Sequence, residues 1–593
     1  VRRQTWLSLG LVGIVAAVYG GSLHGPWVFD DWASIPHNLT IRHWATALRP
    51  PGGGVTVTGR PMLNLSFALN YAFSGDRVEF FHATNVGVHL LAALALFGLV
   101  RRLGATDWAA GVIAALWAVH PLQTESVTYT VQRAESLAGL FYLLTAYWFV
   151  RGRYGLCIAA CSLGMATKET VATAPVFLLF LDRTFMAGSF REAWRLRSRI
   201  YGWLAATWLI LAGLVAAGAN RGGTAGVGLG LHASLIYAAN QFPAIVRYVG
   251  LSFWPHPLIF DYGTDWGHVS WTTWPCAAAV LGLVGASVLA LRRHPIPAFL
   301  GISFLLLLAP SSSVVPIATE QMAEHRMYLP LAALIAAAVL LAGRWIKARS
   351  GALKSASVRG MPESPEGFRY PQRSGALPSA SVRGLLESPE GFRYPQRSGA
   401  LKSASVRGLP ESPEAFRNPQ RSGALKSASK IPQWLAASLT AALILSAGTA
   451  TVLRNRLYQN PIALWRDTVH HRPANASAHL NLGYLLYSAA QYQDAITELD
   501  AAVALDPENA KALTNRGRCQ LALQRPTAAQ ADFAAAVRAD PAYAEAHNNL
   551  GVTLAMAGRP AQARAEFQAA LRLHPGYAEA QRNLERLGGP GAP

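Results

Sequence analysis

Residues 5–32 read TWLSLGLVGIVAAVYGGSLHGPWVFDDW. An uncharged, mostly apolar run over 5–22 is succeeded a few residues later by Asp30 and Asp31, set among Trp27, Phe29 and Trp32. The run is long enough to cross a bilayer core, so the acid pair falls at a membrane face. Ionised carboxylates are costly beside hydrocarbon, and adjacent like charges raise each other's pKa. Such a pair reads either as a solvated loop pair or as a site for binding or catalysis, and the polar residues farther along the chain favour the second.

Comparable apolar runs recur at residues 89–100, 108–119, 134–150, 201–217, 274–291, 297–308 and 329–343, with less clean ones flanking Lys168 and a last one at 434–453. Together with 52% hydrophobic residues over 593 positions, they describe a polytopic membrane protein. The net charge of +20 does not point to nucleic acid, because the basic residues cluster between spans: Arg2 and Arg3, Arg101 and Arg102, Arg151 and Arg153, 191–199, Arg292 and Arg293, and 344–349. That is the positive-inside pattern. Placing every cluster in the cytoplasm requires eleven crossings, with residues 235–254, which carry Asn240, Gln241, Pro243 and Arg247, read as re-entrant or interfacial. The first run then reads as a retained span rather than a cleaved signal. Asp30 and Asp31, the loop 120–133, Lys168 and Glu169, residues 254–262 and the loop ending at Arg326 all fall on the external face. The four cysteines are scattered, and neither a disulfide nor a metal site is expected from them.

The rest of the chain holds two repeats. Residues 349–429 repeat every 24 positions, with Arg-Ser-Gly-Ala-Leu starting at Arg349, Arg373, Arg397 and Arg421. Rich in Ser, Pro, Gly and Arg, this segment cannot bury enough surface to offset its chain entropy and reads as a disordered cytoplasmic loop. The C-terminal region repeats every 34. Gly483, Gly517 and Gly551 mark one phase, Ala495, Ala529 and Ala563 a second, and Pro507, Pro541 and Pro575 a third. This resembles the tetratricopeptide repeat, a helix-turn-helix unit that stacks into a superhelix. Asn481, Asn515 and Asn549 recur on the same period. They read either as a ladder able to hold an extended backbone or as a residue favoured at that position of the repeat.

Further polar residues gather in the membrane part. His82, Asn85 and His89 share one helical face; His120, Glu125, Arg133 and Glu135 come after the third run; Arg60, Lys168, Glu324, His325 and Arg326 stand at other span ends. Taken singly, each is more often an ion pair or a cap than a site. Their convergence on the face that carries Asp30 favours a shared polar cavity.

With these motifs in order, the chain resembles the multispanning glycosyltransferases of the GT-C type, and among them the transmembrane and tetratricopeptide-repeat-containing O-mannosyltransferases and their bacterial relatives. The resemblance rests on Phe29-Asp30-Asp31, Gly59-Arg60-Pro61, His82 with Asn85 and His89, His120-Pro121 with Glu125, Arg133-Ala134-Glu135, Lys168-Glu169, Asp261-Tyr262 and Glu324 to Pro330. Gln132 stands where glycine is common, Glu135 where aspartate is, and His325 interrupts a usual Glu-Arg pair.

The resemblance implies an all-α chain: a GT-C-like core over 1–348, the repeat loop over 349–430, a final span over 431–453 and a soluble tetratricopeptide solenoid over 454–593. It also implies a polyprenyl-phosphate sugar donor and a protein Ser or Thr acceptor, with mannose as the expected sugar. Asp30 or Asp31 would be the base, and Arg60, Lys168, His325 and Arg326 would contact the lipid phosphate. No cofactor is expected. Two adjacent carboxylates leave room for a divalent metal, but no second ligand cluster accompanies them. The expected partners are the lipid donor, membrane lipids and a polypeptide held by the repeats. Abundant Arg, Ala and Gly with sparse Lys suggests a GC-rich bacterial genome, hence an inner membrane with the site in the periplasm. Two alternatives stay open: a non-catalytic anchored scaffold, and transfer to a lipid or cell-wall glycan.

Overall fold

A computed structural model describes residues 2–217, 230–263, 269–312, 320–359 and 433–588. All regular structure among the described residues is helical. Each of the expected apolar runs is helical, from Arg2–Tyr19 through Val78–Arg102, Asp107–Ala118 and Arg133–Val150 to Pro330–Arg359 and Gln433–Tyr458. Five helical stretches are long and apolar enough to cross a membrane, namely Arg2–His24, Val78–Arg102, Phe190–Ala217, Thr273–Ala290 and Trp434–Tyr458, and four shorter helices are also apolar. The ambiguous run at 235–254 is helical over Gly230–Phe253, with Pro243 inside it. Most of the 24-residue repeat lies outside the described residues; its first part continues the Pro330–Arg359 helix.

The Val78–Arg102 helix packs between the first helix, the Asp107–Ala118 helix and the Arg133–Val150 helix, and buries Ala92, Leu96 and Leu99. Between the first span and Val78 the chain makes a long excursion with three short helical turns and a fuller helix, Pro61–Ser74. That helix starts on a proline at its first turn, where the missing N–H has no partner to lose.

A second apolar core runs from this excursion into the C-terminal region. It joins Val28, Ile35, Phe67 and Phe81 to Tyr129, Phe260, Tyr458 and Trp465, and then to Leu482 and Leu499. The final span helix, Gln433–Tyr458, therefore delivers the chain straight onto the loops that carry the acids.

Beyond it, helices pair at the expected 34-residue period: Ala476–Ser488 with Tyr492–Leu505, Ala510–Ala522 with Pro526–Ala539, and Ala544–Met556 with Pro560–Leu573, closed by Ala578–Gly588. Pro461–His471 precedes the first pair as a single helix. Asn460, Asn475 and Asn509 cap helix starts by accepting from the amide three residues on. A Cβ on Gly517 or Gly551 would lie 2.7 Å from the ring of Phe533 or Phe567, closer than any side chain tolerates. Glycine at this phase is what lets each pair close.

Candidate active site

The two aspartates divide their tasks. Asp31 is fully buried, and its carboxylate accepts from the amides of Val28 (2.9 Å) and Val131 (2.7 Å). It pins the 25–31 turn to the 120–133 loop. Asp30 is partly exposed; its own amide donates to the Tyr129 hydroxyl at 3.0 Å, and its carboxylate accepts one long bond, 3.4 Å, from the Thr56 hydroxyl. Phe29, just before it, has φ +44, a left-handed conformation that a bulky side chain rarely adopts. The turn is therefore held in a conformation that presents Asp30. Burial raises the pKa of both acids. For Asp31 burial, helped by the neighbouring charge of Asp30, carries it to about 8 against opposing backbone amides, chiefly those of Val28 and Val131. For Asp30 the Thr56 hydroxyl opposes burial, and the charge of Asp261 adds to it.

Asp261 is a neighbour that sequence reasoning did not single out as a site residue. Its carboxylate accepts from the Gly263 amide at 2.8 Å, and its carbonyl accepts from the Asn475 side chain at 3.1 Å. Glu125 meets His325 twice, through the imidazole Nδ1 at 2.7 Å and the backbone amide at 2.9 Å. Burial pushes the Glu125 carboxyl up to about 7 and the His325 imidazole down to about 4, so both lean toward their neutral forms. Glu320, a few residues earlier in the same loop, lies 3.9 Å from His325 and 3.7 Å from Arg326.

The cations expected to meet a phosphate are all engaged. Lys168 lies 2.7 Å from Glu135, and both are buried. Arg60 lies 3.2 Å from Glu169 and donates to the carbonyl of Thr56, the residue that bonds Asp30. Arg326 spends its guanidinium on the carbonyls of Ser311, Gln321 and Glu320. Glu324 accepts from the Ile259 amide and from the Tyr262 hydroxyl at 3.1 Å. One further buried cation, Arg454 at the end of the final span, stands 3.2 Å from Asp467 and 3.9 Å from Glu324.

The remaining candidates hold the frame. Asn85 donates to the carbonyls of Val127 and Thr130, and His89 bridges the Tyr328 hydroxyl and the Ala118 carbonyl. His82 meets the Gly25 carbonyl at 3.1 Å, at the head of the acid turn. His120 caps its own turn through the Leu122 amide and reaches the Ser252 carbonyl. Arg133, wholly buried, donates to Asn85, Asn70 and the Phe81 carbonyl, with its guanidinium 4.6 Å from the centre of the Phe67 ring. The helical face of His82, Asn85 and His89 thus ties one helix to the two loops around the acids. Among the described residues, no group of three or more His, Cys, Asp or Glu side chains is placed to hold a metal.

The repeat array begins at this site. Phe29 meets Phe260 and Trp465 edge-on, and Phe260 also meets Tyr129 and Tyr458. Asn475 both caps the first array helix and holds the Asp261 carbonyl. Asn481, Asn515 and Asn549 lie half-exposed on the first helices of their pairs, and the Asn549 side-chain nitrogen is buried without a hydrogen-bond partner. Asn583 continues the same period on the closing helix and donates to Asn548 at 3.0 Å.

The tetratricopeptide repeat family model matches residues 453–510, 480–529 and 514–578. In sequence the chain is similar to the protein O-mannosyl-transferase TMTC1 of Mus musculus, 34% identical over 163 residues, which are 26% of this chain and 17% of that protein. It is similar to Tmtc2 of Drosophila melanogaster, 29% over 191 residues (28% and 20%), and to TMTC3 of Homo sapiens, 30% over 155 residues (24% and 17%). The matched stretch spans no more than a fifth of the length of these relatives. Among solved structures it is similar to the crystal structure of MamA, with 23% identity, 21% of this chain and 69% of that chain covered, and a TM-score of 0.20. It is also similar to the first TPR of Spaghetti (RPAP3) bound to an HSP90 peptide, with 23% identity, 19% and 90% coverage, and a TM-score of 0.19.

Proposed function

Because the chain is a relative of the protein O-mannosyl-transferases, we propose that it is a membrane glycosyltransferase. It moves a sugar, mannose first among the candidates, from a polyprenyl phosphate to Ser or Thr hydroxyls of a polypeptide on the extracytoplasmic face. A bacterial inner membrane with a periplasmic array is the setting that the composition favours. The observation that carries this reading is the division of labour in the acid pair. Asp31 is consumed in holding two loops, and Asp30 is left presented, with a single long hydrogen bond, against the start of the array.

In the proposed reaction the Asp30 carboxylate takes the proton of the acceptor hydroxyl. The oxygen then bonds the anomeric carbon, and the bond from that carbon to the phosphate oxygen breaks. The electron pair leaves on the lipid phosphate, and a single displacement inverts the anomeric centre. Raised by burial, Asp30 is a stronger base than a free aspartate at the cost of being ionised over a narrower pH range. Lys168 and Arg60, with Arg326 behind them, supply positive charge for the leaving phosphate, which exchanges with the resident Glu135 and Glu169, and the neutral His325 offers at most a hydrogen bond. The half-exposed asparagines hold the polypeptide through its backbone, and the array feeds a hydroxyl toward Asp30.

The test is to reconstitute the full chain in vesicles, supply a panel of polyprenyl-phosphate sugars with co-expressed secreted proteins, and read mass shifts on Ser and Thr. A glycosylated hydroxyl is the expected result. Transfer only to lipid or glycan, or none with any donor, would overturn the reading.

A further inference from the structure

Two arginines outside the acid site share one aromatic ring. The guanidinium of Arg247, near the end of the Gly230–Phe253 helix, lies 5.3 Å from the centre of the Tyr262 ring, and that of Arg472, which closes the Pro461–His471 helix ahead of the first pair, lies 5.4 Å from it. Tyr262 is a fixed platform: it is buried, and its hydroxyl donates to Glu324. Both arginines are exposed, and among the described residues neither has a carboxylate within ion-pair distance. In this they differ from Arg60, Lys168, Arg326 and Arg454. A guanidinium resting on a ring keeps its edge N–H groups available, and two of them match the geometry and charge of a phosphate.

Their position narrows the ligand. Asp261, beside Tyr262 in the chain, is the residue whose charge reaches Asp30. Trp254, Trp271 and Trp274, from the flanking segments, are more than two-thirds exposed, as aromatic side chains at a bilayer interface are.

We propose that Arg247 and Arg472 form a clamp on which a lipid-borne phosphate, that of the polyprenyl carrier, docks before it passes to Lys168 and Arg60, so that the core and the array each contribute half of a donor-docking site. The identity of the lipid rests on the transferase reading; the clamp itself does not. One consequence is that the array helps to hold the donor as well as the acceptor.

The test uses the full chain in nanodiscs of zwitterionic lipid, with polyprenyl monophosphate as the probe and phosphatidylglycerol as the competing anionic headgroup. Arg247→Gln and Arg472→Gln should each weaken polyprenyl phosphate binding about 5- to 50-fold, as the loss of charge-assisted hydrogen bonds at an exposed site implies. The Lys variants, which keep charge and lose the fork, should fall between and guard against a folding defect. The double Gln variant binding like wild type would overturn the clamp. Equal affinity for phosphatidylglycerol, lost equally in the variants, would overturn the assignment to the polyprenyl carrier. Binding needs neither sugar nor acceptor. Arginine-dependent binding without any transfer would therefore sink the transferase reading alone, and transfer with unchanged binding in the double variant would sink the clamp alone.

Discussion

In the sequence Asp30 is the first choice of base only because it directly follows Phe29, as the leading acid does in the family the chain resembles; nothing there says which carboxylate is tied down. The two acids are separated by which backbone amides face each carboxylate, and those of Val28 and Val131 both face Asp31. Replacing Asp31 by Asn would turn an NH2 toward one of those amides. A loss of about 1–3 kcal/mol is expected for a buried donor left unsatisfied. Thermal unfolding of Asp31→Asn should show a clear drop in midpoint, and an unchanged midpoint would mean that the carboxylate is not a strut. Asp261 acts on Asp30 through charge. A base must be ionised to take a proton, so activity falls as pH drops through the raised pKa of Asp30, and the acid limb of kcat/KM should lie above the ordinary carboxylate range near about 4. Removing the like charge with Asp261→Asn lowers the pKa of Asp30. The limb should then move to lower pH; a limb that stays or moves up would contradict the coupling. Asp261 and Arg454 were not legible as site residues because their contacts lie far away in sequence.

Elements were far more legible than contacts. The apolar runs announced the helices, and the 34-residue period announced the pairs, because both patterns are local. The face shared by His82, Asn85 and His89 was also legible, but its targets, chiefly backbone carbonyls of the 118–130 stretch and of Gly25, depend on tertiary packing. Nor did the sequence announce that the array would start on the acid turn. That comes from the Phe29, Phe260 and Trp465 contacts, in which single aromatics carry no periodic signal. Among the helix pairs the glycine phase makes a sharp prediction. The Cβ of Gly551→Ala would fall 2.7 Å from the Phe567 ring, so the pair must spread, at a cost of about 1–3 kcal/mol for overpacking. Unfolding of the full chain monitored by helical circular dichroism should show an earlier array transition, and an unshifted one would mean that the pair has slack.

Across the whole molecule, the proposed enzyme joins an acid turn, a set of paired cations and a peptide-holding array. The asparagine period makes acceptor length a readout. Asn481, Asn515 and Asn549 all changed to Ala should weaken transfer to long polypeptides about ten- to a thousandfold, at about 0.5–1.5 kcal/mol per lost neutral hydrogen bond. A short hydroxyl peptide that does not reach the array should be modified as before, and an equal loss on both acceptors would make the asparagines structural. Sugar transfer with Asp30 as the base is the step on which everything else depends. It can be measured as single-turnover transfer from a radiolabelled polyprenyl-phosphate mannose to a long acceptor, by reconstituted wild type and Asp30→Asn matched for thermal unfolding. Labelled protein is predicted with wild type, and a rate lower by about 10²–10⁴ with Asp30→Asn. Wild-type turnover by the folded Asp30→Asn protein would contradict that role.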